Sequence, residues 1–442
     1  MNNIRASLSH KIQSAGRLQE ITLKFSRLES DELRVLTVLR IMELFDTIPP
    51  STCKTKDTKD SIDLRNKANK LFVCNSEPIK TWELYSKSIA TALNDSQELS
   101  LAYANRSAVL IKLLKYDECL QDIERALRLD YPDRLRGKLL CRKIECLKMS
   151  NKTDLLSDTL DALENWLERT SLSSNDKQTF ERKLKDWNNE KSTERRLARA
   201  EDVPLTIIPN EQIPCASEAL KVRCNDEFGR HVVATRDIEP GEILIVEKPY
   251  SKILSLNEAY THCSNCLQVH WAMIPCEFCI YAMYCSEDCK REAWSRHHDI
   301  ECPVTGYLVD LGSGERELFS MRLTIAAWRD AGCVDNLRES LKAKSNFSVG
   351  TLYLSDSYAN IYNLVTCVEK RNVADLFDRS LMAAFILYYL CTLTDLFGKK
   401  LNADIKDIYM NDGATFIGGL ILRHMQIIPC NIHSAIRGRA SH

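Results

Sequence analysis

The chain has 442 residues, 44% of them hydrophobic and 27% charged, a composition that suits a soluble protein with two or three cored domains. A net charge of −1 and a pI near 6.8 provide no global basic field, so direct nucleic-acid binding is not expected, although local basic patches stay open. Eighteen cysteines would suit a secreted disulfide framework only behind a signal peptide, and residues 1–16 are polar; the thiols point to a reducing compartment, cytoplasm or nucleus.

Residues 1–59 read as an N-terminal helical segment and linker. Leu18, Ile21, Phe25 and Leu28, then Leu33, Leu36, Leu39 and Met42, recur at helical spacing; Pro49 and Pro50 end the run, and a polar, Lys-rich stretch follows. Residues 60–170 read as paired helices with an internal repeat. Thr81, Tyr85 and Ser88 are answered 38 residues later by Cys119, Ile123 and Ala126, with Tyr103, Ser107 and Leu110 at small and aromatic positions that let helices approach. A third pair is expected from Pro132 to about Leu167. The pattern looks like a TPR array, whose unit is about 34 residues, with extra residues near 92–98.

Residues 171–214 form a charged connector, its stretch 176–201 reading as a solvated helix or link. The period then changes. Stretches 220–223, 231–235 and 243–247 are short β-type runs inside a strand-bearing segment 215–262, with turns at Phe228-Gly229-Arg230 and Glu239-Pro240-Gly241-Glu242. Within 303–442 helices are expected over 318–330, 373–397 and 415–426. The most apolar stretch, 381–393, is too short to span a bilayer and reads as a buried helix, so no membrane partner is expected.

Between the strands and the later helices, residues 263–302 hold eight metal-type ligands in four pairs: Cys263/Cys266, Cys276/Cys279, Cys285/Cys289 and His298/Cys302. Thiolates and a neutral imidazole at such spacing can close two tetrahedral zinc sites. The last two pairs are separated by one helical turn, which would put both members on one helix face. We assign Cys263, Cys266, Cys285 and Cys289 to one zinc ion, and Cys276, Cys279, His298 and Cys302 to the other. His297 competes with His298, whose spacing to Cys302 is the better one. The bland alternative is a set of buried free thiols. These ligands, with Tyr284-Cys285-Ser286-Glu287-Asp288-Cys289 and Trp294 around them, resemble the MYND finger. That resemblance implies a peptide-binding module, often for proline-rich segments and here for a transcriptional or chromatin partner. With no coordination position open, the zinc ions are structural.

A second constellation lies on the repeat helices. Arg65 and Asn69 are one helical turn apart, as are Lys138 and Arg142, and Asn105 stands on a helix between them. Cations and amides on one groove can hold paired carboxylates. The bland alternative is charge on solvated helix faces. The segments Asn66-Lys67-Ala68-Asn69, Tyr103-Ala104-Asn105-Arg106 and 137–142 resemble TPR domains that hold chaperone tails ending Glu-Glu-Val-Asp. The resemblance implies an acidic C-terminal tail as partner.

The stretch from Phe228 to Thr235, followed by Pro240-Gly241-Glu242, resembles the opening strands of a SET domain. A glycine before a strand can also be a plain hairpin turn. The order of TPR-like repeats, SET strands, MYND finger and helical insert is similar to that of the SET-and-MYND lysine methyltransferases with an N-terminal TPR region, over about residues 60–436. By that resemblance the fold is multidomain α+β: an α-helical array, then a β-rich SET domain split by a two-zinc finger and a helical insert. It also implies S-adenosylmethionine as cofactor, bound by Phe228, Gly229, Arg230 and Asn431, and a protein lysine as acceptor. Asn431 could instead cap or turn the chain after a helix, and His231 stands where many relatives have a second Gly. The family's Asn-His…Pro-Asn segment and catalytic Tyr do not follow Asn431, so no catalytic residue is assigned. The expectation is a truncated form, with a non-enzymatic adaptor as the alternative function.

Overall fold

The computed structural model describes residues 2–189, 207–343, 353 and 356–433. In chain order the helices begin with α1 (Asn2–Ser14), α2 (Leu18–Ser26) and α3 (Asp31–Leu44), then α4 (Thr58–Val73), α5 (Pro78–Thr91), α6 (Gln97–Lys112) and α7 (Tyr116–Arg128). They continue with α8 (Asp133–Met149), α9 (Leu156–Arg169) and α10 (Ser174–Asn189). Two hairpins follow, β1 (Leu220–Asn225) with β2 (Gly229–Ala234) and β3 (Ile274–Pro275) with β4 (Met283–Tyr284). The remaining helices are α11 (Glu287–Ala293), α12 (Asp299–Asp310), α13 (Glu315–Ala331), α14 (Val334–Ala343), α15 (Tyr358–Tyr362), α16 (Val373–Leu393), α17 (Ile405–Tyr409) and α18 (Asp412–Asn431). The described residues form two compact units, one drawn from 54–189 and 254–295, the other from 2–53, 207–253 and 296–433.

In the first unit α4 to α9 form three successive helix pairs. Residues Thr81, Tyr85 and Ser88 on α5 and Cys119, Ile123 and Ala126 on α7 are all buried, so the 38-residue offset marks equivalent inward positions on equivalent helices. Asp57 and Ser96 cap α4 and α6 through side-chain oxygens that accept from backbone N–H groups three residues on. Arg106 and Asp122 are fully buried as a two-bond ion pair of 2.7 and 2.8 Å. Gly137 on α8 faces the Trp166 ring so closely that a Cβ there would lie 2.2 Å from it.

The second unit is built on α16 and α18. Leu381 to Cys391 is buried without a break, which accounts for the apolar run. The helix carrying that run has 21 residues and is, by length and composition alone, long and apolar enough to cross a membrane, yet 72% of its apolar window is buried by neighbouring elements. Residues 1–53 belong to this same unit: α3 packs on α16, α17 and α18 through Val35, Val38, Leu39 and Met42. Gly418 and Gly419 permit that approach, since a Cβ on Gly419 would meet the Glu32 backbone nitrogen at 3.0 Å. The N-terminal region is therefore core rather than appendage. Its expected helical stretch over 18–45 is broken by Ser30, which caps α3, into two helices.

Regular strand structure in 215–262 is limited, among the described residues, to the hairpin pairing Leu220 with Ala234 through Asn225 with Gly229. The third β-type run, 243–247, does not become a strand. It makes one bridge, Ile245 with Ala216, plus bonds from Ser217 N to Leu244 O and Val246 N to Cys215 O. Pro214 and Pro249 bound this short ladder and lack the N–H groups needed to extend it.

Candidate metal centre

Two knuckles and a helix build the ligand set. In the first knuckle the Cys263 carbonyl accepts from Leu267 N at 2.9 Å, and Leu267 takes a left-handed conformation that brings the chain back to bond Cys263 N. In the second, Phe278 N donates to Cys276 Sγ at 3.4 Å, a contact that favours thiolate. Cys285 leaves β4 just ahead of Ser286, whose hydroxyl caps α11 by accepting from Cys289 N at 3.2 Å. Cys285 thus precedes the helix, and only Cys289 lies within it. The expected shared helix face is corrected to a strand-to-helix junction, because the Ser286 cap in extended conformation starts the helix at Glu287, two residues after Cys285. His298 ends a π-helical turn, Trp294–His298, that runs directly into the helix carrying Cys302.

These elements bring the ligand atoms of Cys263, Cys266, Cys285 and Cys289 within 4.8 Å of one another, and those of Cys276, Cys279, His298 and Cys302 likewise. The donor chemistry fits zinc. With Zn–S bonds of about 2.3 Å a tetrahedral site has sulfur–sulfur edges of roughly 3.8 Å, and Cys266 and Cys285 are separated by 3.8 Å. Burial raises the pKa of the Cys266 and Cys285 thiols, whereas at Cys289 the same effect is outweighed by the Asn265 amide and the neighbouring thiols. A cation would supply the stabilisation that burial withholds from the others. His297 is otherwise engaged: its Nδ1 lies 3.0 Å from Glu301 Oε2, and Arg322 donates to both oxygens of the same carboxylate at 2.7 and 2.8 Å.

On the repeat helices Asn69 and Asn105 meet, with Asn105 Nδ2 donating to Asn69 Oδ1 at 2.9 Å and the Tyr85 hydroxyl donating to the same oxygen at 2.7 Å. Burial pushes the Tyr85 hydroxyl up to about 12 against the opposing fields of Arg65 and Arg142. Arg65 donates to Glu98, and Arg142 donates to the Ala104 carbonyl and the Ser107 hydroxyl. Lys138 is exposed.

Phe228 sits at the tip of the β1–β2 hairpin, 65% exposed and edge-on to His231. Gly229 has φ +61, with open space where a Cβ would stand, so its conformation rather than crowding calls for glycine. Arg230 pairs with Cys224 through the backbone; its side chain lies outside the described residues. Asn431 is the last residue of α18, its Nδ2 donating to the carbonyls of Ile427 and Val365 at 2.8 and 3.0 Å. Sequence reasoning passed over Arg106 and Asp122, although Arg106 stands in a segment quoted for the clamp; a buried ion pair has no spacing signature.

Residues 263–302 match the MYND finger family. Over 256 residues, 52% of this chain and 32% of the relative, the chain is 35% identical to protein-lysine N-methyltransferase SMYD4 of Pongo abelii. It is 33% identical to the Homo sapiens protein of that name over 284 residues, 58% of this chain and 35% of the relative. With the Danio rerio protein the identity is 24% over 451 residues, 91% of this chain and 51% of the relative. The chain thus spans between about a third and about half the length of these relatives. No solved structure matches it.

Proposed function

We propose that the chain is a member of the SET-and-MYND protein family and part of a protein-lysine N-methyltransferase using S-adenosylmethionine, with its repeats and finger acting as protein-interaction modules. The observation that carries this reading is identity to the SMYD4 proteins over stretches far longer than the finger. When bound, the cofactor supplies an electrophilic methyl group on a sulfonium centre. Transfer forms an N–C bond as the S–C bond breaks in line, so the acceptor Nζ must be unprotonated and positioned, and positioning supplies most of the rate. Phe228, Gly229 and Arg230 would line the cofactor's pocket and Asn431 would hold its methionine end. The left-handed Gly229, with no side chain in the way, supports close approach of the backbone there. In this reading α4 to α9 are a TPR array, and residues 215–262 open a SET domain interrupted by the finger and a helical insert.

The finger would serve a proline-rich or transcriptional partner; its exposed aromatic pair Phe278 and Trp294, ring centroids 5.3 Å apart, supports a peptide-docking role. Cytoplasm and nucleus are the proposed locations. Labelled S-adenosylmethionine in a cell lysate, with this chain and with a form extended to the length of its relatives, tests the reading. Lysine labelling by the extended form is expected, and none from that form would overturn it.

A second reading, an adaptor that clamps an acidic chaperone tail, is favoured by one observation. Asn69, Asn105 and Tyr85 form a single hydrogen-bonded group, with Lys138 exposed on a neighbouring helix.

A further inference from the structure

Three successive carbonyl oxygens of the segment between the two zinc knuckles are each taken by a side chain of the helical repeats. Trp82 Nε1 on α5 donates to Trp271 O at 2.7 Å, Arg125 Nη1 on α7 donates to Ala272 O at 2.5 Å, and Arg106 Nη2 on α6 donates to Met273 O at 2.7 Å. The Trp82 and Trp271 rings pack with centroids 4.4 Å apart at an interplanar angle of 47°, and the Lys115 ammonium lies 5.2 Å from the Trp271 ring centroid. Ala272 and Met273 are fully buried in the same apolar cluster as Tyr85, Tyr103 and Ile123.

We infer that residues 271–273 are a built-in peptide ligand of the α5–α7 groove, and that zinc in the finger holds them there, so the folding of these repeats is coupled to zinc occupancy. The argument is one of preorganisation. A short segment gains little from three hydrogen bonds and two side chains if it must first be ordered from a free loop. Here Cys266 on one side and Cys276 on the other belong to different ligand sets, so two metal ions pin both ends of the stretch. The groove is equally prepared. Asp122 holds Arg106 with two bonds and also accepts from Arg125 at 3.1 Å, which aims two donors at adjacent carbonyls. Without the segment, the Arg106 donor now satisfied by Met273 O would lie unpaired in a buried site and Trp82 would be uncovered, both of which oppose the folded state. Metal bound by the folded finger therefore stabilises helices that contribute no ligand. The coupling is independent of methyl transfer.

Amide hydrogen exchange on the full chain, with zinc bound and after chelation at neutral pH, tests this. Chelation should accelerate exchange in α5, α6 and α7 by tenfold or more. Trp271→Ala retains all eight ligands and should keep two zinc ions by elemental analysis, yet the same helices should already exchange fast in its zinc-bound form, with chelation adding little. Unchanged exchange in α5–α7 on chelation, or a Trp271→Ala protein that behaves like the parent in both states, would overturn the coupling.

Discussion

The Tyr358 hydroxyl and Nε2 of His424 lie 3.0 Å apart in the helical core of the second unit. On the other side of the ring, Nδ1 is 2.9 Å from Thr324 Oγ1, whose hydrogen is donated to the Ser320 carbonyl. Thr324 must therefore accept, which puts the imidazole proton on Nδ1 and leaves Nε2 to accept from Tyr358. The ring is held neutral, fully buried, with its pKa lowered to about 3 chiefly by burial and next by Arg423.

A pH dependence follows from that arrangement. Unfolded, His424 titrates near the ordinary value of 6.5; folded, it takes up a proton only near 3. Its contribution to stability is intact above pH 6.5 and is lost as the pH falls from there toward 3, at up to about 1.4 kcal/mol per unit. Denaturant midpoints measured at pH 7 and pH 5 should fall in the parent and fall less in His424→Gln. Equal slopes in the two proteins would remove His424 from the account.

Elemental analysis of the purified chain should return two zinc ions. Cys276→Ser should retain one, because Cys263, Cys266, Cys285 and Cys289 form a set without it. A single zinc in the parent, or none in the variant, would contradict two separate sets.

For the clamp, a peptide ending Glu-Glu-Val-Asp should bind, and amidating its terminal carboxylate should weaken it. Lys138 is the exposed cation of the group, so Lys138→Ala should cost roughly tenfold or more, a charge-assisted contact being worth about 1.5–3 kcal/mol. Isothermal titration giving equal affinity for the two peptides would dismiss the groove.

Gly419→Ala should destabilise the chain by about 1–3 kcal/mol, because the added methyl would press on the Glu32 backbone and part α3 from α18. Thermal unfolding reads the loss. A melting temperature equal to the parent's would mean that α3 can shift at no cost.

Where periodicity speaks, the sequence was easily read. Thr81, Tyr85 and Ser88 lie inward because helical spacing fixes which residues share a face, and the apolar stretch around Leu387 is buried as its composition implied. The metal ligands were legible for a related reason, since short fixed spacings are what a knuckle requires. Other features rest on groups that every residue carries. The docking of 271–273 depends on main-chain carbonyls together with the Trp271 ring, and its side of the contact has no motif. Partners far apart in sequence were equally silent: nothing in Val35 or Met42 names α18 as the surface they cover. A spacing of four residues between Cys285 and Cys289 fits a junction as well as a helix, and the Ser286 cap decides for the junction.

The placement of α3 bears on how the chain is made. Gln426 reaches Asp31 across 395 residues, and the Tyr389 hydroxyl bonds the Pro50 carbonyl across 339. At roughly 5–20 residues per second, about 20–80 s separate the synthesis of α3 from that of α18. Through that interval Val35, Val38, Leu39 and Met42 lack the α18 surface they cover in the fold, and the nascent chain carries an apolar stripe without it. Substitutions in α3 should therefore lower the yield of folded protein in cells more than the stability of molecules that have already folded.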